Sequence, residues 1–280
     1  MSLRPPDRIE TAPLFPELLR GLIELLSGLA PAEWERPTVC RGWDVKAVAL
    51  HLLGGDVGLL SRRRDGFTPP GGPGASSGWD ELVAFIDALN HSWVDATRRL
   101  SPGVLVDLLG HLGRQTCDYV AALDLDAPGD VVAWAGAGAA PVWLEVAREY
   151  TERWHHQQQI RDAVDRPGFR DRRYLGPVLD AFVRALPRTL RDRPAAAGTT
   201  VTLRVDGEAG GSWTCVRGER GWELAVGAPE QSGATLTLPE DVAWRLFTKG
   251  LGPGEAAALS RVTGDESLAR ALLGTIAIIG

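Results

Sequence analysis

The spacing of apolar residues changes near residue 200, and this change constrains the fold more than any other feature of the sequence. Before it, apolar residues recur at helical spacing, which predicts helices in the segments 14–29, 44–64, 79–100, 105–125, 140–164 and 174–192. After it, short alternating runs are separated by glycine-rich turns, which predicts strands in VTLRV, SWTCVRG, GWELAVG and ATLTL. Two more helices are predicted in PEDVAWRLFTKG and DESLARALLGTIAII. We therefore expect an α+β protein whose C-terminal part carries an antiparallel sheet.

The change in period also predicts two domains. A chain of 280 residues is long enough for two hydrophobic cores. The stretch DRPAAAGTT at 192–200 has the composition of a linker, so the predicted domains span 1–195 and 200–280. The stretch at 66–78, rich in glycine, proline and serine, predicts a mobile loop in the first domain.

Composition excludes several classes of protein. The formal net charge of -6 argues against a nucleic-acid-binding surface, which is usually basic. No apolar run reaches the roughly 18 residues of a membrane span, and the start MSLRPPDRIE lacks the apolar core of a signal peptide. The three cysteines, at 40, 117 and 215, are odd in number and widely spaced, so neither a disulfide framework nor a zinc ribbon is indicated. We expect a cytoplasmic protein that binds neither nucleic acid nor membrane.

The helix predicted at 140–164 carries an unusual polar edge. Its apolar residues fall within one arc of about 140°, which is expected to face the core. Glu152 and His156 lie along the edge of that arc and are four residues apart, so both side chains can reach a common ion. His155 is predicted to point away from the arc, toward solvent. Residues 157–159 are three glutamines, which either line a polar pocket or form a solvated face.

His51 supplies a candidate third ligand. It lies between Val48 and Leu52 on the inward side of the helix that Asp44 is expected to cap. A buried histidine needs a partner or an ion, and two helices of a bundle can bring His51, Glu152 and His156 to one cation. Spacing alone leaves open the alternative that these residues bind no ion. A Glu-x-x-x-His pair is commonly an exposed ion pair, and an inward histidine is commonly a hydrogen-bonded core residue. His91 and His111 are interpreted as surface or structural residues.

Two segments resemble a known family. In CRGWDVKAVALHLLGGD, Trp43 begins a helix and His51 follows eight residues later, and REYTERWHHQQQIRDAV carries the Glu-x-x-x-His spacing. Both are similar to the metal-binding segments of the DinB-like metalloproteins, and within them to those of the mycothiol-dependent maleylpyruvate isomerase family. The part from VTLRVDGEAGGSW to GDESLARALLG is similar to the sterol-carrier-protein-like domain that often follows in that family.

The resemblance implies a fold, a metal and a cosubstrate. It implies a DinB-like four-helix bundle in which His51, Glu152 and His156 hold a divalent metal, usually Zn²⁺. It also implies mycothiol, a low-molecular-weight thiol, as cosubstrate. A thiol bound to a metal loses its proton near neutral pH, and the resulting metal-bound thiolate can attack an electrophile. The same metal site serves an isomerase or an S-transferase.

The C-terminal domain departs from the family pattern at one position. The isomerases carry an important arginine in a Gly-Arg step after a tryptophan-containing helix. Here AWRLFTKGLG places Lys249 at that point, with Arg245 one turn earlier. Either cation can attract a substrate carboxylate, although lysine does not reproduce a bidentate clamp. Arg245 and Lys249 are therefore the candidate catalytic residues.

The leading hypothesis is a mycothiol-dependent isomerase or S-transferase that acts on a small electrophile, as a monomer or homodimer. Two alternatives remain open. One is a non-catalytic protein that binds a small molecule and retains a structural or vestigial metal. The other is a thiol-independent, metal-dependent hydrolase or lyase that uses activated water.

Overall fold

The computed structural model describes residues 3–67, 79–132, 134–136 and 138–278. Most of the loop predicted at 66–78 lies outside these residues. Contacts between Cα atoms divide the chain into two compact units. The helical unit comprises Thr11–Asp124 and Glu152–Gly168, and the sheet unit comprises Met1–Glu10, Leu125–Thr151 and Phe169–Ile278. The predicted domain boundaries at 195 and 200 stay a prediction.

The helical unit is built from long helices. They are α1 (Phe15–Ser27), α2 (Val45–Leu59), α3 (Trp79–Thr97), α4 (Pro102–Ala121) and the second half of α5 (Val142–Ala163). Side chains at helical spacing bury one core, which includes Leu22, Leu26, Val48, Leu109 and Ile160. Asp44 caps α2, as predicted, because its side chain accepts a hydrogen bond from the backbone N–H of Ala47 at 2.7 Å. None of the helices in the described part of the chain is both long and apolar enough to cross a bilayer.

The helix pair α2–α3 packs closely at Gly54. A Cβ atom at this position would lie 2.7 Å from the Trp93 ring, and the indole N–H of Trp93 donates to the carbonyl of Leu50 at 2.8 Å. A Cβ at the neighbouring Gly55 would meet nothing within 4 Å.

We therefore expect opposite effects from two adjacent substitutions. Gly54→Ala should lower the free energy of unfolding by about 1–3 kcal/mol, because the Trp93 ring must move. Gly55→Ala should raise it by about 0.5–1 kcal/mol, because alanine loses less backbone entropy on entering a helix. Urea denaturation of both variants measures the difference. Equal effects of the two substitutions would contradict the close packing of Gly54 against the Trp93 ring.

The sheet unit contains a small hairpin and a five-stranded sheet. The hairpin pairs β1 (Pro128–Val131) with β2 (Ala139–Pro141). The larger sheet has the strand order β5-β4-β3-β6-β7. Its strands are β3 (Thr200–Asp206), β4 (Gly211–Arg217), β5 (Trp222–Val226), β6 (Ala234–Pro239) and β7 (Arg261–Gly264).

The predicted α+β class is confirmed, with one refinement in the sheet. Strands β3 and β4, β4 and β5, and β6 and β7 pair antiparallel, as expected, whereas β3 and β6 pair parallel. The parallel pair arises because the chain crosses over from the edge strand β5 to the other side of β3. The remaining helices of this unit are α6 (Arg172–Phe182), α7 (Leu186–Leu190), α8 (Glu240–Phe247), α9 (Pro253–Ala258) and α10 (Glu266–Ala271).

Candidate metal centre

Three side chains of the helical unit converge as the sequence predicts. His51 comes from α2, and Glu152 and His156 come from α5. One candidate ligand atom from each residue lies within 4.8 Å of the others. The ring centroids of His51 and His156 are 4.6 Å apart, and His156 Nε2 lies 3.5 Å from a carboxylate oxygen of Glu152.

The chemistry of this donor set fits a divalent cation. Two imidazole nitrogens and one carboxylate oxygen are common Zn²⁺ ligands, and three protein ligands leave a fourth position for water or substrate. Glu152 and His51 are half-buried and His156 is buried. Buried polar groups of this kind need compensation, which a shared cation would provide. That these residues are metal ligands stays a prediction.

The pKa values of the three groups reflect their burial and mutual charge. Burial, followed by the charge of His156, lowers the pKa of His51 to about 3, so this imidazole is neutral at pH 7. Burial alone would raise the pKa of Glu152, but the hydrogen bond with His156 and the charges of nearby histidines hold it well below its usual range. Burial alone would lower the pKa of His156, yet hydrogen bonds with Cys40 and Glu152 raise it to about 9. A cation that binds His156 must therefore displace a proton.

The histidines predicted to be surface residues are exposed. His91 Nδ1 lies 2.8 Å from the carbonyl of Asp87, and His111 Nε2 lies 3.0 Å from Nε2 of Gln115. His91 nevertheless approaches the centre, because its ring centroid is 5.5 Å from that of Trp43. Trp43 in turn lies 5.2 Å from the His51 ring, so the indole packs against a candidate ligand.

The predicted orientation of His155 is wrong. Its side chain is 1% exposed, and its ring centroid is 4.0 Å from that of His156. The alternative of a solvated face for the three glutamines is also wrong, because Gln157, Gln158 and Gln159 are all buried. The prediction assumed that the face away from the apolar arc meets solvent, whereas residues 154–161 of α5, more than two helical turns, are all buried.

The sequence left Gln159 between a polar pocket and a solvated face, and it gave no sign that Cys40 lies at the centre. Gln159 Oε1 lies 2.7 Å from His156 Nδ1, and the thiol of Cys40 donates to the same oxygen at 3.1 Å. The spacing of His156 and Gln159, three residues apart on a helix, is a signal that could have identified this contact. Cys40 is 119 residues away from Gln159 in the chain, and no local pattern relates the two.

A pocket lies between α1, α2, α4 and α5. At its polar side, Arg153 donates to a carboxylate oxygen of Asp56 at 2.7 Å, and Thr116 donates to the same oxygen at 3.0 Å. Among the described residues, neither polar atom of the buried Gln157 side chain has a hydrogen-bond partner. The lining is Phe15, Leu18, Leu19, Leu22, Leu52, Asp56, Leu109, Gly113, Thr116, Cys117, Arg153 and Gln157.

The candidate catalytic cations belong to the sheet unit. Arg245 lies on α8, where it forms an ion pair with Asp241 and lies over the Trp244 ring at 4.5 Å from the centroid. Lys249 follows the end of α8 with a backbone φ of +60°. Their role toward substrate stays a prediction.

Comparison with known proteins agrees with the resemblance found in the sequence. The family described as the mycothiol maleylpyruvate isomerase N-terminal domain matches residues 15–161. Two similar solved structures are crystal structures of the mycothiol-dependent maleylpyruvate isomerase and of a histidine-to-alanine mutant of it. Each is 14% identical in sequence, with a TM-score of 0.50, over 92% of this chain and 93% of the other.

At this identity, the structural likeness supports the fold. No curated protein matches the chain. The sterol-carrier type of the C-terminal domain stays a prediction.

Proposed function

Because the chain belongs to the mycothiol maleylpyruvate isomerase family, we propose that it is a mycothiol-dependent metalloenzyme, an isomerase or S-transferase that acts on a small electrophile. The observation that carries the proposal is the convergence of His51, Glu152 and His156 within 4.8 Å. These three residues would hold a divalent cation, for which Zn²⁺ is the best match to two imidazoles and one carboxylate.

The cation would lower the pKa of the thiol cosubstrate. A thiol that ligates a divalent cation has a strongly lowered pKa and is a thiolate near neutral pH. The protein's own contribution is to present a neutral His51 and an ionised Glu152, since the pKa shifts of both groups favour the forms that donate electron pairs. The Trp43 ring packs against one side of His51, at 5.2 Å between ring centroids.

The reaction itself takes one of two courses. In an isomerase, the thiolate adds to a conjugated double bond, the new single bond rotates, and expulsion of the thiolate restores the double bond in the other geometry. In an S-transferase, the adduct takes up a proton and leaves as product. We place either reaction in the cytoplasm, with which three free cysteines are compatible.

Turnover assays with and without the thiol test the proposal. Purified protein is loaded with Zn²⁺ and assayed with maleylpyruvate and related electrophiles, in the presence and absence of mycothiol. We expect turnover only with both metal and thiol. Turnover without thiol would instead support a hydrolase or lyase, and binding without turnover would support a small-molecule-binding protein.

We further propose that Arg245 and Lys249 attract an anionic group of the electrophile. Arg245→Ala and Lys249→Ala should each raise KM by about 10–100-fold, the value of one charge-assisted hydrogen bond, and should leave the metal content unchanged. Arg261→Ala is the matched control, because Arg261 is an exposed cation of the same unit that pairs with Asp206 at 2.7 Å. An unchanged KM in both variants would remove these residues from the site.

A further inference from the structure

Two donors converge on one acceptor beside the candidate metal centre. Oε1 of Gln159 lies 2.7 Å from Nδ1 of His156 and 3.1 Å from Sγ of Cys40. Gln159 is buried and Cys40 is half-buried. An amide oxygen can only accept, so Nδ1 of His156 must carry a hydrogen atom.

This contact selects the tautomer that His156 adopts when it ligates a cation. A neutral imidazole with a hydrogen on Nδ1 has its lone pair on Nε2. Nε2 is the atom that faces Glu152, at 3.5 Å from its carboxylate oxygen. When His156 ligates a cation, the amide of Gln159 therefore directs the electron pair of Nε2 to the side on which Glu152 lies and holds the ring in that orientation.

The segment that carries Cys40 is itself fixed by a closed turn. Thr38 donates through its backbone N–H and its hydroxyl to the carbonyl of Trp43, at 3.1 and 2.8 Å. Inside the turn, the N–H of Cys40 donates to the hydroxyl of Thr38 at 3.1 Å, and the N–H of Trp43 donates to the carbonyl of Cys40 at 2.9 Å. Gly42 has a φ of +81°, a conformation that side chains strongly disfavour.

The turn therefore contacts the surroundings of both candidate histidine ligands, His51 and His156. It places the Trp43 ring against His51, at 5.2 Å between centroids, and the Cys40 thiol against the amide that binds His156. One hydrogen-bonded segment before α2 thus contacts the candidate ligand His51 directly and the candidate ligand His156 through Gln159.

We infer that Gln159 is a positioning residue for His156, supported by Cys40, and that this pair sets the affinity of the centre for its cation. The inference rests on the proposed function, because it needs the cation. The neighbouring Gln158 provides the contrast, since its amide donates instead to the carbonyl of Gly168 at 3.1 Å.

The dissociation constant for Zn²⁺, measured by competition with a chromophoric chelator, tests the inference. Gln159→Leu should weaken binding by about 10–100-fold, as loss of the outer partner of a metal-binding histidine commonly does. Gln158→Leu, an equally buried change in the same helix, should leave the constant unchanged. Cys40→Ala should weaken binding by about two- to tenfold, the range for one neutral hydrogen bond, and Cys40→Ser should restore it.

An NMR readout separates positioning from folding. In the zinc-loaded protein, the proton on Nδ1 of His156 should give a protected downfield signal, which Gln159→Leu should abolish and Gln158→Leu should retain. Gln159→Glu keeps an acceptor oxygen and should retain both the signal and the affinity. If Gln159→Leu does not fold, Gln159→Glu tests the inference instead. Loss of zinc binding in Gln159→Glu would overturn the inference.

The proposed function and the role of Gln159 can be disproved separately. If the wild-type protein does not bind Zn²⁺, the proposed function fails. If the wild type binds and Gln159→Leu binds as tightly with the signal intact, only the role of Gln159 is lost. Equal weakening by Gln158→Leu would likewise overturn it.

Discussion

His156→Ala should empty the metal centre and reduce thiol-dependent turnover to the background rate. His156 is central to the cluster, because its ring lies near His51 and its Nε2 faces Glu152. Its removal leaves two of the three donors, and loss of a direct ligand should exceed the roughly 10–100-fold effect of losing an outer partner. Metal analysis after equilibration with Zn²⁺ should fall from about one ion per chain, as expected for a single three-ligand site, to almost none.

The matched control is His111→Ala. His111 is exposed and contacts Gln115 on its own helix, so its loss should change neither metal content nor turnover. His155→Ala does not serve as this control, because the side chain is buried beside His156. Full metal content in the His156 variant, with its fold intact by circular dichroism, would exclude His156 as a ligand.

Local sequence signals predicted the parts of this centre that depend on helical geometry. The capping side chain of Asp44 fixes the start of α2, which determines the face on which His51 lies. The spacing of Glu152 and His156, four residues apart, places both on one edge of α5 in any α-helix. Helical period and strand alternation are also local, which is why the α+β class could be predicted.

The parts that were missed depend on contacts between distant segments. Whether the polar face of α5 meets solvent or protein depends on what packs against it. The helical spacing of α5 alone therefore predicted the wrong environment for His155 and left that of Gln159 undecided. The bond from Cys40 to Gln159 joins residues that are remote in the chain. The parallel pairing of β3 and β6 likewise follows from a crossover that alternation within strands does not specify.

Asp56 is another residue whose importance appears only in the folded chain. Asp56 lies four residues after Leu52 in α2, which places both side chains on one face of the helix. In the structure it is 5% exposed and accepts hydrogen bonds from Arg153 at 2.7 Å and Thr116 at 3.0 Å. Arg153 is adjacent to Glu152 in α5, so this ion pair joins α2 and α5 within the helical unit.

Asp56→Ala should lower the free energy of unfolding by about 3–5 kcal/mol, because it leaves the largely buried Arg153 without its carboxylate. Asp56→Asn should cost less, since an amide oxygen still accepts a hydrogen bond. Asp95→Ala is the control, because Asp95 and Arg98 form an exposed pair at 3.2 Å, and such pairs contribute about 0–1 kcal/mol. Urea denaturation of the three variants measures these losses. A loss from Asp56→Ala no larger than that from Asp95→Ala would mean that the buried pair does not stabilise the helices that carry the candidate metal centre.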